Sequence, residues 1–169
     1  PYTSLVMPMR DKPDHYTDKA KREGYLARSV YKLHEIQQKH KLLAKGNSVL
    51  DLGAAPGSWT QYALSIAGKE GHVCAIDIEP ISDALQDASL TAVTADLFSD
   101  GLDDDLAPYS PFDVVLSDAA PATSGNRGLD AARSAAMVER CLKLCEHHLV
   151  NGGNMAVKLK PFSKSGLPA

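Results

Sequence analysis

Short apolar runs, each closed by an ionisable residue, recur along this chain and set its expected architecture. Ser48-Val-Leu50 leads into Asp51, Gly71-His-Val-Cys-Ala-Ile into Asp77, and Ala92-Val-Thr-Ala into Asp96. Phe112-Asp-Val-Val-Leu-Ser leads into Asp118, and Gly153-Asn-Met-Ala-Val into Lys158. Runs this short read as strands, and runs this continuously apolar read as strands covered on both faces, the pattern of a parallel sheet. Helix-compatible stretches separate them. One is Thr60-Gln-Tyr-Ala-Leu-Ser-Ile-Ala67; another covers 130–149, where Ala132, Ala135, Ala136, Leu142, Leu144 and Cys145 mark the apolar side. Alternating strand and helix predict an α/β fold, a mostly parallel sheet with helices on both faces.

The turn after the first of these runs, Asp51-Leu-Gly-Ala-Ala-Pro-Gly-Ser-Trp59, is the most informative stretch. Gly53 and Gly57 let the backbone approach a ligand, since no Cβ limits contact or φ. The spacing is not G-x-G-x-x-G, so the dinucleotide fingerprint of a dehydrogenase is absent. Ligands of open parallel sheets sit outside the carboxyl ends of the strands. Four such ends carry an acid and one a lysine, more ionisable chemistry than a structural edge requires.

Composition fits one domain: 169 residues suffice for a real core. There is no apolar run of about eighteen residues that could span a membrane. Pro1 to Arg10 lack the basic start and apolar centre of a signal peptide, so a cytoplasmic location is expected; separately, the protein is expected to be a monomer. Cys74, Cys141 and Cys145 form no C-x-x-C, which argues against disulfides and against zinc; no metal site is expected. The net charge of −3 disfavours a nucleic-acid partner until its distribution is considered. Residues 1–46 carry a net +5, including Lys19, Lys21, Arg22, Arg28, Lys32, Lys39, Lys41 and Lys45; residues 47–169 carry −8. The expected organisation is therefore a basic arm and helix (1–46) packed on a ligand-binding catalytic part (47–169). A basic arm beside an acidic crevice is the footprint of RNA-phosphate contact. Val30, Leu33, Ile36 and Gln37 equally fit an amphipathic helix whose lysines are only solvated. Asp100 to Asp105 reads as an acidic loop with no further role.

These motifs together resemble the RrmJ/FtsJ-type ribose 2'-O-methyltransferases. The resemblance is carried by Asp51 to Trp59, Asp77, Asp96, Ser117-Asp-Ala-Ala-Pro121 and Val157-Lys158. Upstream, Arg28-Ser-Val-Tyr-Lys-Leu-His-Glu-Ile36 is similar to the family's segment with its first catalytic lysine. It implies a Rossmann-like methyltransferase fold that uses S-adenosyl-L-methionine and acts on RNA, ribosomal first and transfer RNA second. It also implies that Gly57, Trp59, Asp77, Asp96 and Asp118 bind the cofactor and that Lys32, Asp118 and Lys158 are catalytic. Trp59 fits a helix-face core position as well, and an acid that merely caps the next loop remains open for Asp77 and Asp96.

The chemistry asks for these residue types. A ribose hydroxyl is a poor acid, so a lysine helps if it is neutral when it acts or if it stabilises the developing alkoxide. Lys158 is expected to handle the proton, with Lys32 close enough to lower its affinity for it and Asp118 orienting the amine. Pro121 and the Thr123-Ser-Gly-Asn-Arg-Gly128 loop are expected to face the RNA, with Arg127 a candidate for phosphate. The family's fourth catalytic residue, a glutamate on a later strand, has no counterpart before Ala169. The C-terminal part that completes the sheet is expected to follow that residue. Two alternatives stay open: a cofactor-binding RNA module without catalysis, and a methyltransferase with a non-ribose target.

Overall fold

The computed structural model describes residues 3–7, 15–120 and 124–158, with side chains from His15 onward apart from Arg127. Its strands are β1 (Thr3–Met7), β2 (Ser48–Leu52), β3 (His72–Asp77), β4 (Leu90–Thr94), β5 (Phe112–Ser117) and β6 (Leu149–Lys158). They form one sheet in the order β1-β6-β5-β2-β3-β4, and all five pairings are parallel. The helices are α1 (His15–Arg22), α2 (Val30–His40), α3 (Ser58–Ala67), α4 (Leu102–Leu106) and α5 (Arg127–His148). No helix among the described residues is long and apolar enough to cross a membrane.

Alternation along the strands builds the two layers, because successive side chains point to opposite faces. Val49, Val73, Val114, Leu116 and Ala156 pack with α2 and α3 through Val30, Leu33, Trp59, Tyr62 and Ala63. Leu50, Leu52, Cys74, Ile76, Val115 and Val157 pack on the other side with α4 and α5, through Leu102, Leu106, Cys141 and Leu144. Both faces are therefore dry, and this is why the strands read as unbroken apolar runs. The chain lays down β2, β3 and β4 in one direction, then crosses back to β5 and β6. The switch point lies between β2 and β5.

Several expectations need correcting. The run expected at Ala92 starts at Leu90 and stops at Thr94, so Asp96 stands two residues past the strand. The run expected at Gly153 begins at Leu149. Residues 3–7, read only for the absence of a leader pattern, add a strand beside β6. Part of the expected acidic loop is α4, held by Leu102 and Leu106, both fully buried. The apolar side of α5 is also displaced. Ala132, Ala135 and Ala136 face solvent and Leu142 is 46% exposed. The buried stripe runs Cys141, Leu144, Cys145 and His148, with Met137 and Val138 packed beside it. Alanine is small enough to sit on either side of a helix, so its spacing marked the wrong face. Asn126 caps α5, its side chain accepting from the Gly128 and Leu129 amides.

Candidate active site

The alternation that sorts the core also aims the ionisable residues. Asp51 lies two positions beyond Val49, Asp77 four beyond Val73, Asp118 two beyond Leu116 and Lys158 two beyond Ala156. All four share the face covered by α2 and α3, and all stand at the carboxyl ends of neighbouring strands. The pairing of Ser117 with Val157 sets Asp118 opposite Lys158. The Lys158 ammonium lies 2.5 Å from Asp118 Oδ1 as an ion pair and donates a hydrogen bond to the Asp118 main-chain carbonyl at 3.2 Å. Each side chain is 16% exposed, so the pair is fixed and partly screened from water.

The glycine turn closes against this pair. Gly53 has φ +73°, and a Cβ there would collide with the Ala119 Cβ and stand 2.6 Å from its Cα. Only glycine permits the β2 exit and the β5 exit to touch in this way. Gly57 has φ +113° and lies beneath Ile81 and Leu85, whose side chains would be 3.1 Å from an added Cβ. Gly57 also starts α3 and has no side chain with which to cap it.

Asp51 is fully buried and accepts a 2.6 Å hydrogen bond from Thr60 Oγ1 at Oδ2, while its Oδ1 has no partner. Burial pushes its carboxyl up to about 7; the Thr60 hydrogen bond opposes the shift and the charges of Asp118 and Asp77 add to it. Asp77 accepts from the Ala55 amide at 2.9 Å and the Glu79 amide at 3.0 Å, so it ties the glycine turn to the loop after β3. Asp96 is exposed and accepts from the Phe98 amide at 2.9 Å. Ile78 and Phe98, the apolar residues next to these two acids, are 67% and 51% exposed.

The expected site residues thus divide. Asp118 and Lys158 meet, with Asp51, Asp77 and Gly57 around the same turn. The Lys32 ammonium is held 3.1 Å from Glu35, one turn along α2, and among the described residues no ion pair or hydrogen bond joins it to Lys158 or Asp118. The Trp59 side chain is a core residue, 2% exposed, and its indole N–H donates to the Ser29 carbonyl at 2.9 Å. What Trp59 can offer the crevice is its main-chain amide. Pro121 and Thr123 lie outside the described residues, as does the Arg127 side chain. Two features went unread in the sequence. The exposure of Ile78 and Phe98 left no signal in their spacing. The inward aim of Asp51 did leave one, since it is in phase with Val49.

The basic arm is bolted to α3. Besides the Trp59 bond, the Gln61 side chain accepts from the Leu26 amide at 3.3 Å and donates to the Gly24 carbonyl at 2.8 Å. The Ser29 and Ser58 hydroxyls are 2.8 Å apart. Lys19 pairs with Glu23 and lies 4.6 Å over the Tyr31 ring, and Lys45 pairs with Glu70. Among the described residues, Lys21, Arg22, Lys39 and Lys41 make no ion pair, which leaves their charge available to a partner.

Fold and site define a doubly wound α/β protein whose switch point carries a glycine turn and, at the adjoining strand ends, a lysine–aspartate pair. The family model of the FtsJ-like methyltransferases matches residues 25–165, and the chain belongs to that family. It is 44% identical over 147 residues to the ribosomal RNA large subunit methyltransferase E of Treponema denticola, covering 87% of this chain and 74% of that one. It is 47% identical over 151 residues to the enzyme of the same name from Syntrophobacter fumaroxidans, covering 86% and 74%. A solved structure of a Plasmodium falciparum protein described as a ribosomal RNA methyltransferase superposes with a TM-score of 0.72 at 28% identity, over 83% of this chain and 81% of that one.

Proposed function

We propose that this methyltransferase uses S-adenosyl-L-methionine and modifies a ribose 2'-hydroxyl of large-subunit ribosomal RNA. The observation that carries the reading is the Lys158–Asp118 pair, fixed across two strands beside the glycine turn and on the same face as Asp51 and Asp77. The residues present suit the cofactor. Its ammonium and sulfonium groups are cations, and the crevice offers acids, one with an unpartnered buried oxygen at Asp51. Asp77 would hold its ribose and Asp96 its adenine amino group, with Ile78 and Phe98 as apolar cover. Gly57 and the Trp59 amide would hold its amino-acid end, together with Asp118. When bound, the cofactor supplies an electrophilic methyl group.

The chain supplies position and proton handling. Asp118 fixes the Lys158 amine, and Nζ is the atom that meets the hydroxyl proton or the developing alkoxide. Lys32 adds positive charge on the covering helix, where it serves the anionic substrate. The unpaired cations of the arm meet phosphates. The test is transfer of a labelled methyl from the cofactor to large-subunit ribosomal RNA, followed by alkaline hydrolysis. A methylated 2'-oxygen cannot attack the adjacent phosphate, so the label should survive in an alkali-resistant dinucleotide. Label in mononucleotides would mean a base target. No label at all would leave a binding module.

A further inference from the structure

The opposite end of the sheet carries a second constellation, which methyl transfer does not use. Two adjacent histidines in the last turn of α5, His147 and His148, turn towards one carboxylate on α4. His147 Nδ1 is 2.9 Å from Asp103 Oδ1, and His148 Nε2 is 3.1 Å from the same oxygen. The two rings stand at 77° with centroids 6.1 Å apart, so their nitrogens converge from different directions.

From this convergence we infer a binding site for one borderline transition-metal ion, of the zinc class, with His147 Nδ1, His148 Nε2 and Asp103 Oδ1 as its ligands. The three atoms lie within 4.8 Å of one another. Ligands of a tetrahedral ion bound at roughly 2.0–2.1 Å stand about 3.3 Å apart, so a small inward movement of one ring completes the geometry. His147 can make that movement, since its side chain is 63% exposed, and its exposure leaves the fourth position to solvent.

The surroundings of the ligands are those of a supported site. His148 is 6% exposed, and its other nitrogen, Nδ1, is 2.6 Å from the Ser110 hydroxyl, which would accept the Nδ1 proton once Nε2 binds metal. The second oxygen of Asp103 accepts from Arg140 at 3.0 Å, and Arg140 is itself anchored by donating to the Leu97 carbonyl at 2.7 Å. A cation here also meets the negative end of the α5 dipole. Two imidazoles and one carboxylate select zinc, cobalt or nickel over magnesium and calcium, which ask for oxygen alone.

The role this gives the ion is structural. Leu149, next to His148, pairs with Phe112 at the start of β5. A strand of six residues separates that end from Asp118, roughly 20 Å at the usual rise. The metal would clamp α4 to the junction of α5 and β6 and leave the crevice alone.

Calorimetric titration of the tag-free full chain with zinc chloride should give one ion per chain, and bound zinc should raise Tm. Cobalt(II) should give the visible bands of a low-coordinate site without a sulfur charge-transfer band, because all three cysteines are buried elsewhere. His147→Ala, at an exposed position, should weaken zinc at least tenfold. His40→Ala, an exposed histidine on α2, should change nothing. Absence of one-to-one binding, or equal affinity in His147→Ala and the parent, overturns the site and leaves an ion-pair staple.

Discussion

The two ends of the sheet are both lined with carboxylates and cations, yet they are finished differently. At the amino end Asp103 has every oxygen engaged, by His147, His148 and Arg140, and each of its buried partners is tied down in turn. At the carboxyl end Asp51 is buried with one oxygen unpartnered, within the field of two more acids. Leaving a buried acceptor unmade costs on the order of 1–3 kcal/mol. That cost gains nothing for a fold on its own, and the cationic cofactor proposed above would relieve it. The contrast separates a carboxylate whose oxygens are all engaged by protein groups from one that keeps an oxygen unpartnered, and it does so without reference to any relative.

Four perturbations would break or sharpen the contrast. The largest effect belongs to Lys158. Lys158→Arg keeps the charge but cannot give up its proton near neutral pH, and Lys158→Ala removes both. Each should lose about 10²–10⁴ in single-turnover methyl transfer, with cofactor affinity measured by calorimetry little changed. Parental turnover in the arginine variant would assign the pair to charge stabilisation alone.

Next comes Asp51. Its folded pKa of about 7 lies above the ordinary carboxylate range. The native state therefore binds the extra proton between about pH 4 and pH 7. Stability of the ligand-free protein should fall as pH rises through that window and level off above it, by on the order of 4 kcal/mol in all. Asp51→Asn should flatten the slope while keeping an acceptor for Thr60. Thermal melts across that range decide it, and an identical slope in the variant would show that the burden lies on another group.

Asp77→Ala should weaken cofactor binding by roughly 1.5–3 kcal/mol, the worth of a charge-assisted hydrogen bond. Asp77→Asn isolates the charge, since its carbonyl can still accept from one of the two loop amides. Unchanged affinity in the alanine variant would remove Asp77 from the ribose subsite. The smallest effect is expected in the arm. Neutralising Lys21 and Arg22 should lower the slope of log affinity for RNA against log salt by about 0.7–0.9 for each phosphate that is no longer neutralised. A salt-independent parent would end the phosphate reading.

Much of this was legible in the sequence, because local chemistry dictated it. Continuous apolar runs announced β2, β3 and β5, and their acid endings announced the crevice. The family resemblance drawn from Asp51 to Trp59, Ser117 to Pro121 and Lys158 is the family the chain belongs to. What was not legible needed either a face or a distance. The alanines of α5 fitted two faces, and only Cys141 and Leu144 chose between them. Trp59 satisfied both a turn motif and a helix stripe, and its indole found Ser29, thirty residues away. The Asp103 cluster joins positions forty-four and forty-five apart, so neither the acidic run nor the histidine pair could point to the other. Lys32, expected beside Lys158, pairs with a carboxylate one turn along its own helix, a contact the sequence reading did not include.

The contact between Gly53 and Ala119 has a consequence for how this protein can drift. Gly101 has a negative φ and open space around it, so an alanine there meets nothing. At position 53 any larger residue must push away the backbone that follows β5. Asp118 sits on that backbone, one bond before Ala119, and carries the lysine with it. A neutral walk through sequence space can pass freely through the first glycine. It cannot pass through the second without moving the amine on which the proposed reaction depends.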